Sequence, residues 1–163
     1  MMHLNLIAQM YFLLIVANGA PILLWRILGD TASFPVDCGL RLADGHRLLG
    51  SSKTIRGVLA SLAVTASLAP AINVSWSIGL AIACLAMTGD LISSFLKRRM
   101  GLAPSSRFTV LDQIPESLIP ALAGTRVMGL SLLDVIIVVT LFFISVIFLS
   151  GLLYKMTVRR RPY

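Results

Sequence analysis

The third apolar run of the sequence, residues 74–95, reads VSWSIGLAIACLAMTGDLISSF and continues into LKRR at residues 96–99. Its length and composition are those of a membrane helix, which needs about 20 apolar residues to cross a bilayer. The run nevertheless carries Asp90 close to its basic end. An ionisable side chain at the edge of the hydrocarbon is costly and usually faces a polar cavity, a metal or a charged partner. The run therefore predicts a membrane helix with a role beyond anchoring.

The composition of the whole chain indicates an integral membrane protein. The 163 residues are 57% hydrophobic and only 13% charged, with a mean hydropathy of +0.90. We predict one membrane domain, residues 1–163, without a separate soluble domain. The net charge of +7 favours anionic lipid or phosphate over nucleic acid as a partner, because no aromatic stacking surface accompanies the basic residues. The two cysteines, Cys38 and Cys84, predict neither a disulfide framework nor a zinc site.

Five apolar runs each have room for a membrane helix, and they predict an all-α, polytopic fold with about five transmembrane helices. The runs are Leu4–Leu28, Ile55–Ala71, Val74–Phe95, Ile114–Leu130 and Leu132–Leu153. The fourth run contains Pro115 and Pro120, so we expect its helix to be bent or interrupted, with freed backbone carbonyls that line a cavity.

The distribution of basic residues predicts the orientation. Nearly all of them lie in or beside two loops, residues 29–54 and 97–113, or in the C-terminal tail, whereas Arg126 falls on the other side. The clustered residues are Arg26, Arg41, Arg47, Lys53, Arg56, Lys97, Arg98, Arg99, Arg107, Lys155, Arg159, Arg160 and Arg161. By the positive-inside rule, both loops and the C-terminus are cytoplasmic and the N-terminus is outside. This pattern predicts a multi-pass protein of the cell membrane.

One face of the third helix is polar. Asp90, Ser93, Ser94 and Lys97 recur at intervals of three, four and seven residues, so they share that face. A carboxylate, two hydroxyls and an ammonium suit a divalent cation and a phosphate, because magnesium takes carboxylate oxygens and keeps substrate phosphates as further ligands. The alternative is a buried Asp90–Lys97 ion pair, with both serines bonded to their own helix.

Asp112 stands where the fourth helix should begin, three residues before Pro115, and we expect it to be the helix N-cap. Capping alone would explain an aspartate at this position. Its nearness to the Asp90 helix, through one loop, equally allows a second metal ligand. Glu116, one turn further on, could join the same cluster.

The end of the first loop is the candidate phosphate-binding segment. Gly50-Ser51-Ser52 can expose backbone amides, Lys53 and Arg56 add positive charge, and the second helix offers its positive dipole end to an anion. The segment is not a P-loop, because two residues separate Gly50 from Lys53. The open alternative is that Lys53 and Arg56 only mark the cytoplasmic side of the span. We interpret His46 as a solvated loop residue.

Several short motifs occur together in an order and spacing that resemble the CDP-archaeol synthases, small membrane cytidylyltransferases more distantly similar to the CDP-diacylglycerol synthases. The motifs are Ala17-Asn18-Gly19-Ala20-Pro21, Asp44-Gly45 with Gly50 and Lys53-Thr54-Ile55-Arg56-Gly57, Gly89-Asp90 with Ser94 to Gly101, and Leu111-Asp112-Gln113. The resemblance covers nearly the whole chain. It implies five helices, a polar cavity that faces the cytoplasm, and a magnesium-dependent transfer of CMP from CTP to a lipid phosphate with release of pyrophosphate.

The resemblance, combined with the chemistry of the residues, implies a role for each candidate. Asp90 and Asp112 would hold Mg²⁺. Lys53, Thr54 and Arg56 would bind the triphosphate or the leaving pyrophosphate, and Ser94, Lys97 and Arg98 the lipid phosphate. The catalytic set would be Asp90, Asp112, Lys53 and Lys97, acting through positioning and electrostatics rather than through a covalent intermediate.

The chain departs from the family pattern in two places. Ile114-Pro115-Glu116 follows Asp112-Gln113, where the family has an apolar residue and a second aspartate, and Ser51-Ser52 replaces a glycine or a basic residue. A non-catalytic lipid-binding or transport protein therefore stays open as an alternative. A CDP-alcohol phosphotransferase is disfavoured, because the chain lacks its dense multi-aspartate pattern. The sequence predicts neither the chemistry of the lipid tails nor the oligomeric state.

Overall fold

The computed structural model describes residues 3–102 and 109–155, with side chains described from residue 112 to residue 148 in the second range. Within these ranges the protein is helical and has no strand, so the prediction of an all-α fold is confirmed. The helices are α1 (Leu4–Leu28), α2 (Ile55–Leu68), α3 (Trp76–Arg99), α4 (Thr109–Val127) and α5 (Leu132–Lys155). A short 3₁₀ helix, Ala69–Ile72, continues α2.

Several segments are apolar enough for a membrane. By length and composition, Leu4–Leu28, Ile55–Ile72 and Trp76–Arg99 can each cross a bilayer, and α5 adds a shorter apolar stretch, Leu132–Phe148. These segments support a polytopic membrane protein. The total of five spans and the orientation of the termini stay predictions.

The helices α3 and α4 are longer at their facing ends than their apolar runs suggested. The third apolar run ends at Phe95 and the fourth begins at Ile114, whereas α3 ends at Arg99 and α4 begins at Thr109. The difference arises because an apolar run marks only the part of a helix that suits hydrocarbon. Basic side chains extend the last turn of α3, where they interact favourably with the negative end of the helix dipole.

The helix α4 is continuous, although Pro115 and Pro120 both lie inside it. The interruption that the sequence allowed does not occur. Within the helix, the hydroxyl of Ser117 donates to the carbonyl oxygen of Gln113 at 2.6 Å. Asp112 lies inside the first turn of this helix, so its prediction as the N-cap was wrong.

The bundle is organised around α3, which packs against α1, α2 and α4, while α5 packs against α1 and α4. The core between these helices consists of fully buried apolar side chains: Met10, Leu13, Leu14, Ala17, Ile82, Ala83, Ala86, Val138 and Phe142. Lipid solvates apolar surfaces as well as protein does, so membrane helices associate through close packing of small residues. Gly79 and Gly124 serve this purpose, because an added Cβ would clash with Ala69 at one position and with Met10 at the other.

Candidate active site

Asp90 and Lys53 form the centre of the candidate site. The ammonium Nζ of Lys53 lies 2.5 Å from Oδ1 and 2.6 Å from Oδ2 of Asp90. The two side chains are 23% and 21% exposed, so the pair lies at the boundary between the bundle and the first loop. Local structure fixes Lys53 there: the backbone N–H of Val36 donates to its carbonyl oxygen, and Thr54, the next residue, caps α2 by accepting from the N–H of Gly57 at 3.2 Å.

Lys97 and Asp112 form a second ion pair, with Nζ 2.7 Å from Oδ1. The Lys97 side chain is only 9% exposed. The alternative prediction, which paired Lys97 with Asp90, was therefore wrong, because Lys97 pairs with Asp112 and Asp90 pairs with Lys53. Lys97 lies two turns beyond Asp90 on α3, about 10 Å along the helix axis, so its ammonium reaches the first turn of α4 instead.

A third carboxylate, Glu116, belongs to the same electrostatic cluster. Its side chain is buried, and its charge acts on Lys53 together with those of Asp90 and Asp112. Burial alone would lower the pKa of the Lys53 ammonium, but the three carboxylates outweigh this effect and hold that pKa above its usual value. The expectation that Glu116 could join the cluster is consistent with this arrangement. We define Asp90, Asp112 and Glu116 as the carboxylate cluster.

Gly89 brings α3 and α4 together at the carboxylate cluster. A Cβ added at Gly89 would clash with the carbonyl group of Pro115 and with Cα of Glu116. The missing side chain therefore lets the backbone of α4 pass directly beside the residue that precedes Asp90. Helix contact at this point places Glu116 near the charges of α3 and the first loop. Gly89 is thus required for helix packing directly beside Asp90, a carboxylate of the candidate site.

The remaining predicted site residues have local partners. Arg56 donates to the backbone carbonyl oxygens of Gly29 and Thr31, at the C-terminal end of α1, rather than reaching the carboxylate cluster. The hydroxyl of Ser93 donates to the carbonyl oxygen of Asp90 at 2.9 Å, and Ser94 is buried. The serine part of the alternative prediction, a bond within the helix, is thus observed at Ser93.

Asp37 organises the first loop, although it was not among the predicted site residues. Its buried carboxylate accepts from the backbone N–H groups of Gly39, Leu49 and Gly50 at 2.9–3.1 Å and from Arg47 at 2.7 Å. Burial favours the neutral acid, but these donors together hold the pKa of Asp37 well below its usual range. The carboxylate thereby joins the two halves of the loop. The one available signal was Asp37 two residues before a glycine, which is typical of an Asx turn.

A cleft of about 190 Å³ lies between this loop and the last turn of α3. Within the part of the chain that the structure describes, the lining contains four basic side chains and no acidic one: Arg41, His46, Arg47 and Arg98. The rest of the lining is Gly45, Gly50, Gly101 and Leu102. We call this the basic cleft. Arg98 lines this cleft and directly follows Lys97 in the chain. The charge of Asp112 acts on the Arg98 guanidinium, so the basic cleft adjoins the carboxylate cluster.

This arrangement of a helical membrane bundle with carboxylates, ammonium groups and a basic cleft at one end suits an intramembrane enzyme for phosphorylated substrates. The structure is indeed similar to that of an intramembrane enzyme for archaeal membrane lipid biosynthesis, with a TM-score of 0.69 and 29% sequence identity. The match covers 83% of this chain and 87% of the other.

Comparison of the sequence with protein families identifies the family of this chain. Residues 1–163 match the family model described as CarS-like, CDP-archaeol synthase, and the chain belongs to this family. The CDP-archaeol synthase of Sulfurisphaera tokodaii is 30% identical over 135 residues, 79% of this chain and 81% of that one. The synthase of Sulfolobus acidocaldarius is 36% identical over 110 residues, 64% and 63% of the two chains, and that of Pyrococcus furiosus is 36% identical over 107 residues, 60% of each.

These findings confirm the resemblance drawn from the motifs. Membership of the family makes the protein a CTP-dependent cytidylyltransferase that forms a CDP-lipid. The alternative of a non-catalytic lipid-binding protein rested on the change at Pro115-Glu116. That change leaves a carboxylate, Glu116, within the charge cluster. The alternative therefore has no support from the structure.

Proposed function

We propose that the protein transfers CMP from CTP to an archaetidic acid-like lipid phosphate and releases pyrophosphate. The observation that carries this proposal is the convergence of the carboxylate cluster on Lys53, directly beside the basic cleft. The carboxylate cluster can hold a cation and the basic cleft can hold a polyanion. These are the two charges of a metal–nucleotide complex.

Asp90 and Asp112 would hold a divalent cation, for which we propose Mg²⁺, with Glu116 as a candidate third carboxylate. The fit rests on Lys53, because its ammonium, itself a cation, lies against both carboxylate oxygens of Asp90 and is acted on by the charges of Asp112 and Glu116. Among the residues that the structure describes, no three or more His, Cys, Asp or Glu side chains form a metal site by themselves. Magnesium commonly binds one or two carboxylates and completes its shell with substrate phosphates and water. When bound, the cation would neutralise charge on the phosphates.

The protein's own groups would align the two substrates. Lys53 and the basic cleft would bind the nucleotide phosphates, and Lys97, Arg98 and Ser94 would bind the lipid phosphate. An ionised oxygen of the lipid phosphate attacks the α-phosphorus of CTP, a new P–O bond forms, and the bond to pyrophosphate breaks. Because the attacking oxygen is already ionised, the reaction needs positioning and electrostatic stabilisation more than a general base.

Thr54 and Arg56 would position the site rather than touch the nucleotide. The hydroxyl of Thr54 already caps α2, which fixes the residue that follows Lys53. The guanidinium of Arg56 ties the start of α2 to the backbone at Gly29 and Thr31. Both contacts hold the end of the first loop against the bundle. Their predicted role as triphosphate ligands is therefore revised to a positioning role.

We propose five membrane spans in the cell membrane, with the N-terminus outside and both the first loop and the α3–α4 connection in the cytoplasm. The support is the positive-inside rule, applied to the basic residues around the two connections. The carboxylate cluster and the basic cleft lie at that same end of the bundle. The site would then open to cytoplasmic CTP, and the lipid would reach it from the inner leaflet.

The direct test uses purified protein with labelled CTP, Mg²⁺ and either an ether-linked archaetidic acid or an ester-linked phosphatidic acid. We expect a CDP-lipid from the ether lipid, one pyrophosphate for each CDP-lipid, and loss of both products when a chelator removes the metal. Comparing the two lipids measures how far the protein discriminates their tails. Absence of lipid-linked CMP with both lipids would contradict the proposed function.

A further inference from the structure

Both carboxylates assigned to the metal are already paired with lysines assigned to phosphates. Lys53 contacts Asp90, and Lys97 contacts Asp112. A carboxylate whose oxygens lie against an ammonium cannot also present them to a second cation without losing part of that contact. Binding of a metal at Asp90 and the pairing of Lys53 with Asp90 are therefore alternatives.

The Lys53–Asp90 pair is the more important of the two for this competition. Its ammonium lies within 2.6 Å of both carboxylate oxygens, so a metal ion at either oxygen of Asp90 would compete with it. Lys53 is also the group on which all three carboxylates act. Its removal would leave Asp90 without its ammonium partner, which is unfavourable at a partly buried position.

We propose that Lys53 occupies the cation position at Asp90 until the nucleotide arrives, and then moves to a nucleotide phosphate while the divalent cation takes its place. This inference rests on the proposed function and adds an order of events to it. A metal that arrives alone would displace the ammonium without offering it an anion. A metal that arrives with nucleotide phosphates brings the ammonium a new partner in the same step, so every charge stays paired.

This mechanism makes metal and nucleotide binding cooperative in a way that depends on one side chain. Coupling between two ligands is reciprocal, so the metal should strengthen nucleotide binding by the same factor by which the nucleotide strengthens metal binding. Replacing Lys53 with a neutral residue should remove the competitor. The variant should then bind the metal well without nucleotide and lose most of the coupling.

The test measures Mn²⁺ binding to the purified protein without nucleotide, using the paramagnetic resonance signal of the free ion. We expect Lys53→Gln to bind Mn²⁺ about tenfold more tightly than the wild type, within the usual range for a coupling of this kind. Lys53→Arg, which keeps the positive charge, should stay close to the wild type. Arg26→Gln removes an equal charge from an exposed position in the last turn of α1 and controls for long-range electrostatics.

A second measurement in the wild type does not depend on any variant folding. Mn²⁺ affinity is compared with and without CTP, after correction for the affinity of Mn²⁺ for free CTP. The proposal expects CTP to strengthen Mn²⁺ binding to the wild type, and an unchanged affinity would overturn it. Equal Mn²⁺ affinity of Lys53→Gln and the wild type would also overturn it. Either result, with normal CDP-lipid formation by the wild type, would leave the proposed function standing, whereas no CDP-lipid would remove the proposed function itself.

Discussion

Asp134 at one end of the bundle and the carboxylate cluster at the other end have different kinds of partner. At the end where α1 and α5 begin, Asp134 is fully buried and accepts from the backbone N–H groups of His3 and Ser131 and from the Ser131 hydroxyl. Ser131 also accepts from the N–H of Asp134, which completes a capping box. The Nδ1 atom of His3 lies 2.8 Å from the same carboxylate.

At the opposite end, Asp90 and Asp112 pair with the ammonium groups of Lys53 and Lys97. Backbone and hydroxyl donors beside a helix terminus are fixed in place, whereas a lysine ammonium sits on a long flexible stem and can change partner. Asp134 is therefore suited to a permanent structural contact. The carboxylate cluster is suited to exchange one cation for another. The difference between the ends predicts that matched substitutions will separate turnover from stability.

The largest effect on turnover is expected from Asp90→Asn. The neutral amide binds a divalent cation weakly and leaves Lys53 without its partner, so CDP-lipid formation should fall by about a thousandfold, as for loss of a major electrostatic contact. Initial rates with labelled CTP measure this. The control is Asp30→Asn, the same change in an exposed residue at the same end of the bundle, which should stay within about twofold of the wild type. Turnover by Asp90→Asn close to that of the control would contradict this assignment.

Gly89→Ala should reduce both stability and turnover. The added methyl group meets the backbone of α4 at Pro115 and Glu116, and overpacking of this kind costs about 1–3 kcal/mol. Unfolding in detergent measures the loss. Gly19→Ala is the matched control in α1, where no atom lies within 4 Å of the added Cβ, and it should be neutral or slightly stabilising. Equal stability of the two variants would show that α3 and α4 do not meet closely at Gly89.

Asp37→Asn should loosen the first loop and slow turnover through the basic cleft. Burial opposes ionisation of Asp37, but its backbone and Arg47 donors dominate and depress the pKa below the ordinary value of 3.8. The ionised carboxylate therefore stabilises the loop fully above pH 3.8, and this contribution is lost only as the pH falls further toward the folded-state pKa. At neutral pH we expect a loss of about 1–3 kcal/mol in local stability.

Hydrogen exchange at the amides of Gly39, Leu49 and Gly50 measures that loss, because these groups donate to Asp37. The difference between Asp37→Asn and the wild type should be large at neutral pH and should shrink in strong acid. An equal difference at both pH values would show that the charge of Asp37 does not hold the loop.

The smallest effect on turnover is expected at the other end of the bundle, from His3→Ala. The substitution removes the imidazole contact to Asp134 but leaves the backbone N–H of residue 3 and the capping box. We expect about 1 kcal/mol less stability and an unchanged rate per folded molecule. Thermal unfolding and initial rates measured on one preparation separate the two quantities. A fall in rate comparable with that of Asp90→Asn would mean that the ends are not independent.

Much of the fold could be predicted from the sequence, because a membrane helix is marked by its composition. The bounds of α1 coincide with the first apolar run, and the other helices were assigned to the correct runs. The apolar runs stop short where charged residues extend a helix, at Lys97 to Arg99, and α4 begins three residues before Asp112, its predicted N-cap. Hydropathy does not identify the part of a helix that continues into water. Interactions with the helix dipole and tertiary ion pairs stabilise that part of the helix.

The members of the candidate site could be predicted better than their partners. Asp90, Asp112, Lys53 and Lys97 were all selected, but which lysine pairs with which carboxylate depends on how the first loop and α4 pack on α3. That packing depends on the close contact between Gly89 and the backbone of α4. The sequence shows the glycine, but it does not show which residues lie against it. Asp37 was missed because its donors are mostly backbone N–H groups, which no residue pattern displays.

The most direct measurement of the central claim, that Asp90 and Asp112 serve one catalytic centre, is a double-mutant cycle. CDP-lipid formation is measured for Asp90→Asn, Asp112→Asn and the double variant under one set of conditions. Residues that act as a unit have strongly non-additive effects, so the double variant should be about as active as the slower single variant. Two losses that multiply would contradict the account, because they would mean that the two carboxylates act independently.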